Sequence, residues 1–236
     1  MTTKKKKIQV KTTEDVLKIL CESIKTTLDS ATQTDINFSP TFIRITKACL
    51  RPDIGCFVVF DGGFKGLVAM NFSAKAALEI YKSYYLSMGM PEDELAKDHT
   101  SSEVADSMGE LMNQSIGKFR VLLEQKIGVC VNQNQPKMIA LSQAMRISLE
   151  AEVEKPQYRR VEFRTASNHR FYLEMITEKA DFIMYSPKEL NSTPVDPDQY
   201  FMQNESQTEE GSADKENENE AESAVADDDF MKSLGL

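Results

Sequence analysis

The sequence has no tryptophan, only two histidines, and four cysteines at positions 21, 49, 56 and 130, with no C-x-x-C spacing among them. A structural zinc site draws about four Cys or His ligands from close-set positions, and no such set is present. With histidines only at 99 and 169, no Ser/His/Asp or Cys/His arrangement can be read as an activated nucleophile. Scattered thiols without a secretion signal fit a reducing compartment, where they stay free. The opening MTTKKKKIQV has a basic run with no apolar segment behind it. Nowhere do about 18 apolar residues follow one another without a break. These absences predict a soluble, cytoplasmic protein that neither spans nor rests on a membrane.

Charge is plentiful but unevenly placed. The formal net charge is −9. Residues 188–236 hold 14 acidic and 3 basic side chains, which leaves 23 acidic and 25 basic in the first 187. The acidity therefore belongs to the tail. The nearly neutral body has dispersed basic residues and no indole to stack on a base, which argues against nucleic-acid binding. The Lys4–Lys7 run is read as part of a solvated leader, residues 1–10.

Apolar residues make up 41% of the chain, enough for one core. Thr12-Thr13-Glu14-Asp15 has the pattern of a helix start. Val16, Leu17, Leu20, Ile24 and Leu28 follow at helical spacing, predicting a helix over 13–29. Runs 42–50, 56–61 and 66–72 read as strands, with Asp61-Gly62-Gly63 as a hairpin signal. Ser73 caps a second helix, 74–88, and a long third helix spans about 100–126, closed by Gly128. Runs 137–149, 157–166 and 170–179 alternate as strands, the last two joined at Ser167-Asn168. Residues 188–229 are too polar to repay ordering entropy and are expected to be disordered. The closing FMKSLGL, 230–236, is either a frayed end or a short apolar peptide on a tether, suited to a partner's groove. The expected domain is 11–187, an α+β fold with a mostly antiparallel sheet packed by helices.

The third helix contains DSMGELMNQSIG, Asp106 to Gly117. Asp106, Glu110 and Asn113 are spaced i, i+4 and i+7 and share one face. Val104, Met108, Leu111, Met112, Ile116, Phe119, Leu122 and Leu123 supply the apolar side. Taken alone, the polar trio reads as a solvated face. Pro136, however, follows Asn113 after 22 residues.

The pattern Asp-x3-Glu-x2-Asn-x22-Pro resembles the signature of the CheC/CheX/FliY family of chemotaxis phosphatases, which dephosphorylate the response regulator CheY. Gly109-Glu110-Leu111, Gly117 and the upstream block FKGLVAMNFSAKAALEI are similar to the family as well, and the likeness covers about residues 13–180. The resemblance implies that Asn113 orients the water attacking an aspartyl phosphate, and that Glu110 anchors a lysine beside it on the receiver. It assigns Asp106, Gly109 and Gly117 to partner contact. The implied Mg²⁺ belongs to the receiver, so no cofactor of the chain's own is expected. Larger members carry two such helices. Here Glu79 in the second helix is followed by Lys82 and not by Asn, so the single-motif CheX branch is favoured, with a homodimer through the sheet. A non-catalytic module of the same fold that holds a receiver or acts as a scaffold is the alternative. The acidic tail and basic leader depart from the family and leave the receiver's identity open.

Overall fold

The computed structural model describes residues 9–141, 143–179 and 181–184. The leader to residue 8, the acidic segment 188–229 and the terminal peptide 230–236 lie outside the described residues, as does the end of the expected domain.

The chain runs β1 (Gln9–Thr12), α1 (Thr13–Thr32), β2 (Asn37–Phe38), β3 (Ile43–Arg44), β4 (Ala48–Leu50), β5 (Ile54–Gly62), β6 (Gly66–Phe72) and α2 (Ala74–Ser87). A 3-10 turn, Glu92–Glu94, leads into α3 (Ser102–Ile127). Then follow β7 (Val131–Gln133), β8 (Lys137–Ala140), β9 (Ile147–Leu149), β10 (Gln157–Arg164), β11 (Arg170–Thr177) and β12 (Asp181–Met184). The main sheet is antiparallel and ordered β2–β10–β11–β6–β5–β7, with β3 beside β2 along β10 and β8 beside β7 along β5. Strand β4 pairs with β9, and β1 with β12.

This order is unchanged when the segment α1 to β6 is exchanged with α3 to β11. The axis of exchange lies between β6 and β11, which pair from Gly66 with Thr177 to Phe72 with Phe171. Each half lends its short strands to the edge of the other. The chain is an α+β fold of two intertwined, similar halves.

Alternation along the strands explains the layering. Val68, Met70 and Phe72 of β6 and Phe171, Leu173 and Met175 of β11 face the three helices. Phe38, Phe163, Phe171 and Phe72 form a ladder across β2, β10, β11 and β6, with centroids 5.5, 5.0 and 5.0 Å apart. A slip of one residue would turn the ladder to the other face, so it fixes register. Leu67, Ala69 and Ile176 point the other way, into a smaller cluster with Ala48, Leu50 and Leu141. Every residue of β6 is buried because both faces of the sheet are covered.

That second layer is held by polar groups. The fully buried carboxylate of Glu174 receives Arg160 at 2.7 Å, Arg51 at 3.3 Å and the Cys49 N–H at 2.9 Å. Asn71 accepts the Arg51 N–H at 2.6 Å and donates to the Cys49 carbonyl at 3.0 Å. Together they fasten β4 to the sheet.

The helices and the 66–72 strand match expectation closely. Runs 42–50 and 137–149 do not stay single strands. Each breaks into two, β3 with β4 and β8 with β9, as the chain leaves the main sheet for the second layer. Gly63 meets the hairpin expectation for a steric reason: a Cβ there would lie 2.5 Å from Val129 and 2.8 Å from the Cys130 carbonyl. All four cysteines are free, as expected, with Cys21, Cys49 and Cys56 buried and Cys130 exposed.

Removing the Glu174 carboxylate leaves two guanidinium groups and a buried N–H without their partner. Glu174→Ala should lower unfolding free energy by about 2–4 kcal/mol in urea titrations. A loss below about 1 kcal/mol would mean the cluster does not hold the layer.

Candidate functional site

Helix α3 begins at Ser101, whose hydroxyl accepts the Val104 N–H, and ends at Gly128 in the left-handed conformation. Val104, Met108, Leu111, Met112, Ile116, Phe119, Leu123 and Ile127 are buried, and Leu122 is half-buried against the same core. Phe119 packs edge-on to Phe60 of β5 at 5.5 Å. With that stripe fixed inward, helical periodicity turns Asp106, Glu110 and Asn113 out, and all three are exposed.

The helix runs along the sheet edge formed by β7 and β8, in the opposite direction. Gly109 lies beside Met138 of β8, Asn113 beside Gln133 of β7, and Arg120 donates to the Val131 carbonyl at 2.9 Å. Pro136 is buried in the short link between the two strands, directly before β8. A proline suits that place, where the edge strand breaks and no ladder N–H is needed. The spacing from Asn113 to Pro136 is thus the length of chain needed to finish α3 and return along it.

Both principal side chains are engaged. Glu110 Oε1 accepts from Gln114 Nε2 at 2.8 Å, and Asn113 Oδ1 accepts from Gln133 Nε2 at 3.5 Å. Glu110 keeps its second oxygen, and Asn113 its amide nitrogen, for another molecule. A Cβ on Gly109 would meet the Met138 side chain at 3.4 Å, so the neighbour there is a side chain in ordinary contact and not a close backbone. A Cβ on Gly117 would meet nothing within 4 Å, so no packing inside the chain calls for glycine. No group of three or more His, Cys, Asp or Glu among the described residues could hold a metal ion. No helix among the described residues is long and apolar enough to cross a membrane.

A family model described as "Protein of unknown function (DUF3334)" matches residues 7–236. The chain belongs to this family. No curated protein matches the sequence. Among solved structures, the chain is similar to the chemotaxis protein CheX of Desulfovibrio desulfuricans, with a TM-score of 0.57 at 18% identity, over 70% of this chain and 99% of that one. It is similar to CheX of Vibrio vulnificus, with a TM-score of 0.55 at 15% identity over 70% and 99%. It is also similar to the CheX–CheY–BeF₃–Mg²⁺ complex of Borrelia burgdorferi, with a TM-score of 0.53 at 14% identity over 70% and 98%. The DUF3334 chain therefore has the CheX/CheC-like fold expected from its motif.

The two-fold exchange also locates where a second motif would stand. The counterpart of α3 is α1, while α2 connects the two halves. Aligned on their left-handed caps, Gln33 and Gly128, the positions of Asp106, Glu110 and Asn113 fall on Lys11, Asp15 and Lys18. Asp15 accepts the Thr12 N–H at 2.9 Å and closes the start of its own helix. A lysine stands where a carboxamide would be needed, so this face carries no second copy.

Glu79 has a different task. Its carboxylate accepts from the Thr165 hydroxyl, from the Ser167 N–H at 2.9 Å and from His169 Nδ1 at 2.7 Å. It ties α2 to the turn between β10 and β11. Partial burial pushes its pKa up, but the hydrogen bonds from Thr165, Ser167 and His169 outweigh this and hold it below 4.5. No local pattern marks this role of Glu79, because its turn partners are 86 or more residues away. A depressed carboxylate stabilises the fold above its unfolded value, and that stability is lost as pH falls through the folded value. The urea midpoint of wild type should exceed that of Glu79→Gln at neutral pH. The gap should close on acidification below about pH 4.5. A gap that stays constant down to about pH 3 would contradict the assignment.

Proposed function

We propose that the α3 face is a docking and catalytic surface for a phosphorylated receiver domain, and that the chain is an aspartyl-phosphate phosphatase. The observation that carries the reading is the exposed pair Glu110 and Asn113, one turn apart, on a helix whose other side is committed to the core. The likeness of fold to a CheX solved with CheY, BeF₃ and Mg²⁺ supports it.

In this reading Glu110 pairs with a lysine on the receiver. A carboxylate beside a phosphoryl group would repel it unless a cation lay between them, and the lysine supplies that charge. Asn113 enters beside the phosphate. Its carboxamide has a donor and an acceptor, which is what fixing a water requires. The water attacks phosphorus in line. The P–O bond to the aspartate breaks, the carboxylate is regained, and inorganic phosphate leaves. Such transfers depend on positioning and charge stabilisation more than on covalent help. Mg²⁺, held by the receiver's own acidic residues, would neutralise the phosphoryl oxygens. Asp106, Gly109 and Gly117 extend the contact stripe. The open space at Gly117 fits a partner's close approach better than any need inside the chain. The same reading includes a homodimer formed through the sheet.

The test uses the host's receiver domains charged with phosphate in Mg²⁺. One of them should lose phosphate faster with the wild-type chain. Asn113→Ala should reduce that acceleration by on the order of 100-fold, because a misplaced water forfeits the oriented attack. It should leave binding of the beryllofluoride-charged receiver nearly unchanged, while Glu110→Ala should weaken that binding. Hydrolysis that survives Asn113→Ala would refute the role. Binding without hydrolysis by wild type would make the fold a receiver-holding module.

A further inference from the structure

We propose that Gln133 is a positioning residue for Asn113, holding its carboxamide with Oδ1 toward the strand and Nδ2 outward, and that Gln114 holds Glu110 in the same way. This rests on the phosphatase reading of the α3 face.

Gln133 is the last residue of β7 and pairs with Phe60 of β5, whose ring is in the helix-side core. Its side chain therefore projects beneath α3. Its Nε2 reaches Asn113 Oδ1 at 3.5 Å, while its Oε1 is buried with no partner. Only two other buried side-chain polar atoms among the described residues lack a partner, Arg51 Nε and Arg159 Nε. An apolar side chain at this strand end would carry no such orphan. The reason for an amide must lie at its other end, and that end meets Asn113.

The purpose follows from the chemistry of a carboxamide. The last torsion of Asn is broad and roughly two-fold, so a free amide shows nitrogen or oxygen outward with similar ease. Orienting a water needs one choice. A bond from Gln133 to Oδ1 makes that choice before docking, leaving both Nδ2 hydrogens and one Oδ1 lone pair for the water and the partner. Gln114 acts on the adjacent group. It occupies Glu110 Oε1 at 2.8 Å and leaves Oε2 to the partner's cation.

Two measurements on the full chain decide this. The first is ¹⁵N relaxation of the Asn113 side-chain amide, which needs no partner. Its order parameter should fall in Gln133→Ala; an unchanged value overturns the proposal whatever the chain's activity. The second is turnover on the phosphate-charged receiver that wild type acts upon. Gln133→Ala should lower kcat on the order of tenfold, with KM within about twofold. Gln133→Glu is the sharper variant. It has the same shape but only accepts, so it should grip Nδ2, turn the amide round, keep the order parameter and still lose kcat. Gln114→Ala should instead raise KM. Wild-type kcat in both Gln133 variants overturns the positioning role. If no receiver loses phosphate even with wild type, the phosphatase reading fails, and the relaxation result alone decides whether Gln133 holds Asn113.

Discussion

The burial of one apolar stripe on α3 is the constraint on which the site depends. Met108, Leu111, Met112, Ile116, Phe119 and Leu123 are all buried in the core that α3 shares with α1, α2 and the sheet. At about 1.5–3 kcal/mol for each large side chain buried, six of them outweigh any preference the polar face has for one rotation of the helix over another. The outward direction of Asp106, Glu110 and Asn113 is therefore set by groups that never touch a partner. The site is precise because it sits on an element that the core will not let turn.

The sheet edge completes that frame. Strands β7 and β8 run back along α3, and Pro136 breaks them where the ladder can spare an N–H. Gln133 and Met138 are thereby delivered to Asn113 and Gly109. The exchange of edges between the two halves means that β7 and β8 pair with β5, a strand of the first half. One half's motif helix is thus steadied by the other half's sheet. On α1, the same frame carries Asp15 and Lys18, and the carboxylate there serves its own helix start.

Much of this was legible in the sequence because it is local. Helical periodicity placed α1, α2 and α3, and the same periodicity put Asp106, Glu110 and Asn113 on one face. The spacing to Pro136 then carried the resemblance, and the fold agrees with it. Other features were hidden because they are set by partners far along the chain. Runs 42–50 and 137–149 each read as one apolar-rich strand, yet the pairing changes sheet midway within both. Strands β2 and β7, of two and three residues, exist only through β10 and β5. Glu174 and Asn71 look like polar interruptions in apolar strands, and become intelligible once β4 lies over them. Gln133 is one amide in a run of polar residues until the fold sets it against Asn113.

In the phosphatase reading, a charged receiver docks along α3 at the Asn113 face. The most direct measurement is a titration of a beryllofluoride-charged receiver domain into the isotope-labelled chain, followed by backbone and side-chain amide shifts. Shifts should concentrate on residues 106–117 and on the end of β7 at Gln133, including the Asn113 side-chain amide. They should vanish when the receiver is uncharged. Shifts centred on the α1 face or on the second layer around β4 and β9, with α3 silent, would contradict it.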